Sequence, residues 1–293
     1  MQTVNYIEFK KQRELGEILS DTFAFIRSEF KPFFGTLLKI VGPYILIMLI
    51  SSGFYIYTVG DIMNITTLQA DNQIFSPIIM ILAGLALFVS SIMAYVVSHG
   101  TVLCYIRSYT ENKGKIFFED IKKGVYANFW SLIGLGFLVG LSIMAGIIFC
   151  LIPGIYLGVC LSVSFAILIF QKKNVSDAYS ESFSLVKENW WITFATLFVI
   201  YIIIYIASLA FSLPTIIYTW AKMGIFSGEV DAENMNIFSD PIYLILNLIS
   251  QIIQFLMNII LLVSITFIYF NLNERKNFTG TFETIENLGK QTN

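Results

Sequence analysis

Four amides in the last apolar run of the chain are the polar residues most able to bind a ligand inside a membrane. They follow one another at spacings of four, three and four residues, which places them on one face of a helix: Asn247, Gln251, Gln254 and Asn258. An unpartnered amide is costly in hydrocarbon, so this face is predicted to look into protein or a wet cavity. Two interpretations stay open, namely hydrogen bonds that brace neighbouring helices and the wall of a site for a substrate or a lipid headgroup.

The single histidine, His99, lies towards the end of the second apolar run. Acid–base catalysis and metal binding need partner groups, and no Asp or Glu lies within any of the apolar runs. A hydrogen-bonded structural role is therefore favoured, although an ionisable group inside a membrane is also a functional candidate. The cysteines Cys104, Cys150 and Cys160 show no metal-ligand spacing. The protein is therefore predicted not to be an enzyme and to have no catalytic residue, no metal and no cofactor.

The composition explains why these few polar residues stand out. Of the 293 residues, 56% are hydrophobic and 13% are charged, about half the share of charge that soluble domains carry. Because a helix of about 20 apolar residues spans the hydrocarbon core, the surplus predicts an all-α integral membrane protein. Pro153 and Gly154 predict a tight turn before the fourth span, and Pro214 predicts a kink or an early end of the fifth near Ser212. Six transmembrane helices are predicted, over 33–58, 76–105, 130–150, 155–171, 191–221 and 242–270.

The distribution of charge indicates the orientation. Sixteen of the 18 Lys and Arg residues fall in the N-terminal segment, in 106–128, in 171–190 or in the C-terminal tail. The charged residues of the loops 59–75 and 222–241 are mainly acidic instead. Because cytoplasmic loops retain positive charge, both termini are predicted to lie on the cytoplasmic side.

Three segments of the chain resemble one another. Residues 22–30 align without gaps to 182–190, and 125–130 is a weaker copy of 186–191. Each segment belongs to an amphipathic helix whose apolar face is too narrow for the helix to span a membrane. Each such helix is predicted to lie in the cytoplasmic interface and to be followed by a membrane hairpin. The chain is predicted to form one membrane domain, 1–293, that consists of three such repeats related by rotation about the membrane normal. The alternative is that the three segments are alike only because helices at a membrane surface have similar compositions. The repeats cover 13–109, 115–173 and 174–276, with a cytoplasmic tail over 277–293.

The apolar stripes of the three amphipathic helices follow from the 3-4 spacing of their large side chains. The first stripe is Leu15, Ile18, Leu19, Phe23, Ile26 and Phe30. The second is Phe118, Ile121, Val125 and Phe129, and the third is Val175, Tyr179, Phe183, Val186 and Trp190.

A Leu-x-Pro-Gly turn at 151–154 is followed by a short span that contains Ser162, then by an amphipathic helix over 177–187 and an Asn-Trp-Trp sequence at 189–191. In this order the segments resemble the membrane domain found with some glycerophosphodiester phosphodiesterases and its stand-alone bacterial relatives. The resemblance implies a polytopic protein of a bacterial inner membrane. It implies no phosphodiesterase activity here, because in that family the activity belongs to a separate soluble domain.

These observations favour a non-enzymatic inner-membrane protein that acts as scaffold or accessory subunit of a membrane process. The alternative is a small-molecule or lipid carrier with a polar cavity lined by the last transmembrane helix, where the four amides lie. Membrane lipids are the predicted partners, with other membrane or cytoplasmic proteins as further candidates. A net charge of −2 gives no reason to expect a nucleic-acid partner.

Overall fold

The structure, a computed structural model, describes residues 6–63, 75–226, 228, 237–283 and 285. Over these residues the chain forms helices, turns and connecting segments, without a β-strand. Single-turn 3-10 helices lie at Lys187–Asn189 and Ile237–Ser239. The α-helices are α1 (Leu15–Ser28), α2 (Phe30–Met63), α3 (Phe75–Glu111), α4 (Phe118–Ala127), α5 (Phe129–Phe149), α6 (Leu151–Leu161), α7 (Ser164–Phe170), α8 (Val175–Val186), α9 (Trp190–Lys222) and α10 (Pro241–Asn277).

Six helical segments in the described part of the chain are long and apolar enough to cross a membrane. This confirms the predicted class, an all-α integral membrane protein with six transmembrane helices. Each segment contains the middle of one predicted span. The segments are Phe30–Gly60, Pro77–Glu111, Phe129–Phe149, Leu151–Phe170, Val175–Lys222 and Pro241–Asn277.

Two proline expectations differ from the structure. The chain turns between α5 and α6 at the extended residue Cys150, and not at Pro153 and Gly154. Pro153 lies in the first turn of α6, where the missing N–H has no intrahelical partner to lose. Helix α9 continues through Pro214 to Lys222, so it does not end near Ser212. Proline is tolerated within membrane helices because neighbouring groups satisfy the freed carbonyl.

The chain divides into two compact units. Unit 1 comprises Met1–Ile40, Val96–Ile202 and Ile259–Asn293, and unit 2 comprises Val41–Tyr95 and Ile203–Asn258. The boundary passes through four helices, α2, α3, α9 and α10. It therefore cuts across the first and third predicted repeats, while the second, 115–173, lies within unit 1. The superposition of the three repeats by rotation stays a prediction.

An aromatic cluster forms the centre of unit 1. Phe9, from the segment that precedes α1, is fully buried. Its ring stacks on Phe267 of α10 with centroids 4.2 Å apart, and it meets Phe25 of α1 edge-on at 5.2 Å. Phe25 in turn packs edge-on against Tyr109 of α3 at 5.2 Å. Such ring pairs add directional contacts to the burial of large apolar surfaces.

Buried charges hold both terminal segments against this cluster. The Arg13 guanidinium donates hydrogen bonds to the backbone carbonyls of Phe9 and Glu8 and to the Asp21 carboxylate. The Glu274 carboxylate, at the end of α10, accepts hydrogen bonds from the backbone N–H groups of Gly280 and Thr281. Each buried charge is thus compensated by several hydrogen bonds, as burial of an ion requires.

Two glycines let α5 and α6 pack closely within unit 1. A Cβ at Gly146 would lie 2.9 Å from the Gly154 Cα, and one at Gly154 would lie 3.0 Å from the Ile147 backbone nitrogen. A Cβ at Gly140 would meet no atom within 4 Å. The close approach that small residues permit in membranes therefore depends on Gly146 and Gly154.

The faces that the short helices bury differ from the predicted apolar stripes. Helix α1 buries Ile18, Thr22 and Phe25, whereas Phe23 and Phe30 are about half exposed. Helix α8 likewise buries Ala178, Ser182, Leu185 and Val186, while helix α4 buries Ile121 and Val125 as its stripe predicts. Smaller residues thus lie against the protein beside large ones on α1 and α8, and some large apolar side chains of the stripes remain exposed.

Candidate functional site

A partly enclosed cavity of about 560 Å³ lies in the described part of unit 1. Its volume lies within the range of about 300–1,000 Å³ that is typical of small-molecule sites. Five spans of the chain contribute to its wall. The lining residues are His99, Leu103, Val139, Ile143, Ile155, Gly158, Val159, Leu161, Ser162, Phe165, Ala166, Phe194, Leu197, Phe198, Tyr201, Leu262 and Ile265.

A break in the fourth span shapes one wall of the cavity. Helix α6 ends at Leu161 and helix α7 begins at Ser164, so the intervening turn interrupts the backbone hydrogen-bond ladder. Serine hydroxyls satisfy three carbonyl oxygens near the break: Ser162 donates to Val159 at 2.8 Å, Ser164 to Leu161 at 2.7 Å and Ser182 to Cys160 at 2.6 Å. Irregular backbone at membrane depth requires this kind of compensation.

Gly158 provides open space on the same wall. A Cβ at this position would meet no atom within 4 Å, so a larger side chain there would extend into the cavity. Gly158 and Ser162 are four residues apart, on one face at the end of α6. The two residues leave the cavity wide where the helix breaks.

His99, Ser162 and Tyr201 are the polar side chains of an otherwise carbon-lined cavity. The His99 ring is half-buried and lies 5.2 Å from the Phe165 ring, at an interplanar angle of 51°. A carbon wall with a few polar groups suits an apolar molecule that carries one polar function. The lining combines one histidine with the hydroxyl groups of Ser162 and Tyr201 and contains no carboxylate.

The margin of the cavity is open to the surface of unit 1. Ile155 of α6 and Phe198 and Tyr201 of α9 line it, and their side chains are about half exposed. All three belong to segments apolar enough to span a membrane. A molecule that enters between these side chains would come from hydrocarbon.

The amide stripe lies in unit 2 and is partly hydrogen-bonded. The Gln251 side-chain amide donates to the Ser52 hydroxyl of α2 at 2.6 Å and to the Asn247 side-chain carbonyl at 2.8 Å. Asn247 and Asn258 are half-buried, whereas Gln254 is exposed. The structure therefore joins one of the four predicted amides, Gln251, to a neighbouring helix, and Asn247 to Gln251 within α10. His99 belongs to unit 1, so these predicted site residues do not form one site within either unit.

The cysteines and the acidic residues form no metal site in the part of the chain that the structure describes. No group of three or more His, Cys, Asp or Glu side chains there could hold a metal ion. Cys104 and Cys160 are buried free thiols, and Cys150 is an exposed one.

The fold and the cavity define the class: a polytopic α-helical membrane protein with a carbon-lined cavity within its helices. No protein-family model, curated protein or solved structure matches the chain. The resemblance to the phosphodiesterase-associated membrane domain stays a prediction.

Sequence reasoning missed most of this cavity. Of its lining residues, the sequence singled out His99 as a candidate and Ser162 only as part of a resemblance. The signal that was available is local: Gly158 and Ser162 place two small residues on one face of the shortest span. The other lining residues are ordinary apolar side chains that no pattern distinguishes from lipid-facing ones.

Proposed function

We propose that this protein binds the hydrocarbon chain of a membrane lipid in the cavity of unit 1, without catalysing a reaction on it. The observation that carries the proposal is the cavity itself, about 560 Å³ of carbon-lined space within membrane-spanning helices. Of the two roles that the sequence leaves open, this favours the lipid carrier or lipid-binding protein over the scaffold.

The chemistry of the lining selects the ligand class. Water is a poor occupant of an apolar cavity, because it needs several polar partners and finds few there. A lipid chain gains contacts with the wall at no cost in hydrogen bonds. The half-exposed margin at Ile155, Phe198 and Tyr201 provides the entry from the bilayer. The last helix contributes Leu262 and Ile265 to the wall, whereas the four amides are not part of it.

Filling the cavity from Gly158 tests the proposal. Purified protein in detergent is exposed to a palmitic acid analogue with a diazirine on its chain, irradiated, and digested for mass spectrometry. We expect labelled peptides from α5, α6 and α9. Gly158→Leu should reduce the labelling about tenfold or more, because the new side chain occupies the cavity.

Gly140→Leu is the matched control. A Cβ at Gly140 also has open space around it, but this residue does not line the cavity. Both variants replace a helical glycine with the same residue, so both should keep the thermal midpoint of the parent protein. Equal labelling of the two variants would contradict the proposal.

The location in the membrane belongs to the same proposal. We place the protein in a bacterial inner membrane with both termini in the cytoplasm, on the strength of the Lys and Arg distribution. Cysteines introduced at positions 71 and 232 should react with an impermeant thiol reagent in intact cells, and those at 113, 173 and 290 should not. Labelling at position 113 from outside would reverse the orientation.

A further inference from the structure

A second hollow in unit 1, a groove of about 710 Å³, adjoins the cavity. Ile155 and Phe194 line both hollows, so the two share a wall. The groove differs from the cavity in its chemistry, because a cation, an amide and indole groups lie along it. Its polar and aromatic lining residues are Tyr156, Lys187, Glu188, Asn189, Trp190 and Trp191.

The indole N–H of Trp190 lacks a hydrogen-bond partner. Among the residues whose side chains the structure describes, Trp190 Nε1 is the one buried side-chain nitrogen or oxygen in this condition. A buried donor without an acceptor is costly, and native proteins retain few such groups. A ligand that brings an oxygen atom to this position would satisfy the donor.

Two neighbouring rings hold Trp190 in place. Its ring stacks on Phe194 with centroids 5.2 Å apart and an interplanar angle of 5°, and on Tyr156 at 5.7 Å and 24°. Because Phe194 also lines the cavity, the same ring that positions the indole forms part of the wall around the lipid chain. The stacked indole therefore lies beside the wall that the groove shares with the cavity.

The charged residues of the groove limit what it recognises. Lys187 and Glu188 are both exposed, so the lining carries no net charge. An ammonium and an indole N–H both donate hydrogen bonds, as does the Asn189 side chain. A singly charged oxyanion that accepts several hydrogen bonds fits this set, whereas a hydroxyl alone would leave donors unused.

We infer that the groove binds the phosphodiester of a glycerophospholipid through Trp190 and Lys187, while the lipid's chain occupies the cavity. The inference rests on the proposed function, because it names the headgroup of the same ligand. The phosphate oxygens accept from the indole N–H and from the Lys187 ammonium. The aromatic stack keeps the headgroup beside the entry to the cavity.

The test compares two lipids with identical chains. Full-length protein in detergent is titrated with palmitoyl-oleoyl phosphatidylglycerol or with palmitoyl-oleoyl diacylglycerol, which lacks the phosphate, and the bound fraction is measured by native mass spectrometry. We expect the phospholipid to bind about tenfold more tightly, the equivalent of about 1.4 kcal/mol. Trp190→Phe keeps the stacking and removes the donor, and Lys187→Gln removes the charge at an exposed position. Each should reduce the preference to about threefold or less.

Trp130→Phe is the matched control, since Trp130 is about three-quarters exposed and lines neither the groove nor the cavity. It should leave the preference unchanged. Equal binding of the two lipids to the parent protein, with both lost in Gly158→Leu, would overturn the inference and leave the proposed function standing. Binding of neither lipid would overturn the proposed function. A preference that persists in both Trp190→Phe and Lys187→Gln would assign headgroup recognition elsewhere.

Discussion

Unit 1 and unit 2 share four long helices, yet they bury different kinds of side chains. Unit 1 buries rings such as Phe9, Phe25 and Phe267 and compensated charges such as Arg13 and Glu274. The described part of unit 2 buries few hydrophobic side chains. They are Val41, Met48, Ala83, Ala94, Ile237 and Phe255, with the small polar residues Ser52, Thr58, Ser90 and Ser250.

The difference shows what stabilises each unit. Unit 1 resembles the core of a soluble domain, because its terminal segments and short helices enclose aromatic rings on several sides. In unit 2 most large apolar side chains are exposed, as Phe88 and Tyr205 are at about two-thirds. Lipid is as apolar as these side chains, so their exposure costs little within a membrane. Packing should therefore dominate the stability of unit 1, and a few polar contacts that of unit 2.

The largest expected effect comes from removing one ring in each unit. Phe9→Ala should lower the free energy of unfolding by about 3–5 kcal/mol, because the ring is fully buried among other rings. Phe88→Ala, the same change at an exposed position of α3, should have little effect. Thermal unfolding in detergent, followed by the loss of helical circular dichroism, measures both. Equal losses from the two variants would remove the distinction between the units.

A methyl group added at a helix contact sharpens the comparison. Gly154→Ala should lower the free energy of unfolding by about 1–3 kcal/mol, because the Cβ would lie 3.0 Å from the Ile147 backbone nitrogen. Gly53→Ala in unit 2 should be neutral or stabilise by up to about 1 kcal/mol, since the nearest atom to its Cβ, Leu248 Cδ1, would lie 4.0 Å away. The same thermal assay applies to both. A loss at Gly53 as large as that at Gly154 would mean that unit 2 is packed as tightly.

Asp240 provides a pH-dependent contact in unit 2. Burial alone would raise its pKa, but hydrogen bonds from the Tyr218 hydroxyl, the Lys222 ammonium and the backbone N–H groups of Ile242 and Tyr243 together lower the pKa of Asp240 below its ordinary value of 3.8. Because the folded pKa is the lower one, this stabilisation is complete well above pH 3.8 and is lost as the pH falls through the lowered pKa.

Asp240→Ala should therefore destabilise the start of α10 by about 1 kcal/mol at pH 7, mainly through loss of the N-terminal cap. The difference from the parent protein should shrink as the pH falls below 3.8. Hydrogen–deuterium exchange of peptides that cover Tyr218 and Ile242 measures the local opening. Asp240→Asn, which retains a capping oxygen, should destabilise the start of α10 less than Asp240→Ala does. A difference that grows in acid would contradict the sign of the pKa shift.

The smallest expected effect concerns the amide stripe. Gln251→Leu should cost about 0.6 kcal/mol, the average for a hydrogen bond between membrane helices, because it removes the donor to Ser52 and Asn247. A double-mutant cycle with Ser52→Ala isolates the bond, and Gln254→Leu is the control at an exposed position of the same stripe. No coupling between Gln251 and Ser52 would leave unit 2 without its proposed polar brace.

Local sequence was enough to predict the class of the protein and its six spans. Span length and apolarity are properties of one continuous segment, so Phe129–Phe149 or Pro241–Asn277 can be recognised without knowledge of any neighbour. The amide spacing likewise predicted that Gln251 needs a partner. It did not identify Ser52, which is 199 residues away along the chain.

It was harder to predict which side chains face the protein and which face lipid. The large apolar residues of α1 define a stripe, but lipid accepts such residues as readily as protein does. The structure turns Thr22 inwards and leaves Phe23 and Phe30 about half exposed. The same ambiguity applies to glycine, since a Gly-x-x-x-Gly pattern is visible at Gly136 and Gly140 whereas the close helix contact forms between Gly146 and Gly154.

The cavity and the groove were decided by tertiary structure alone. Their walls combine a histidine of α3, the broken fourth span and the stacked rings around Trp190, which are far apart along the chain. Each residue looks ordinary in its own segment. The cavity lies where helices from distant parts of the sequence converge, beside Gly158, which has no side chain, and beside the break after Leu161. The sequence of any single helix does not show which other helices it meets there.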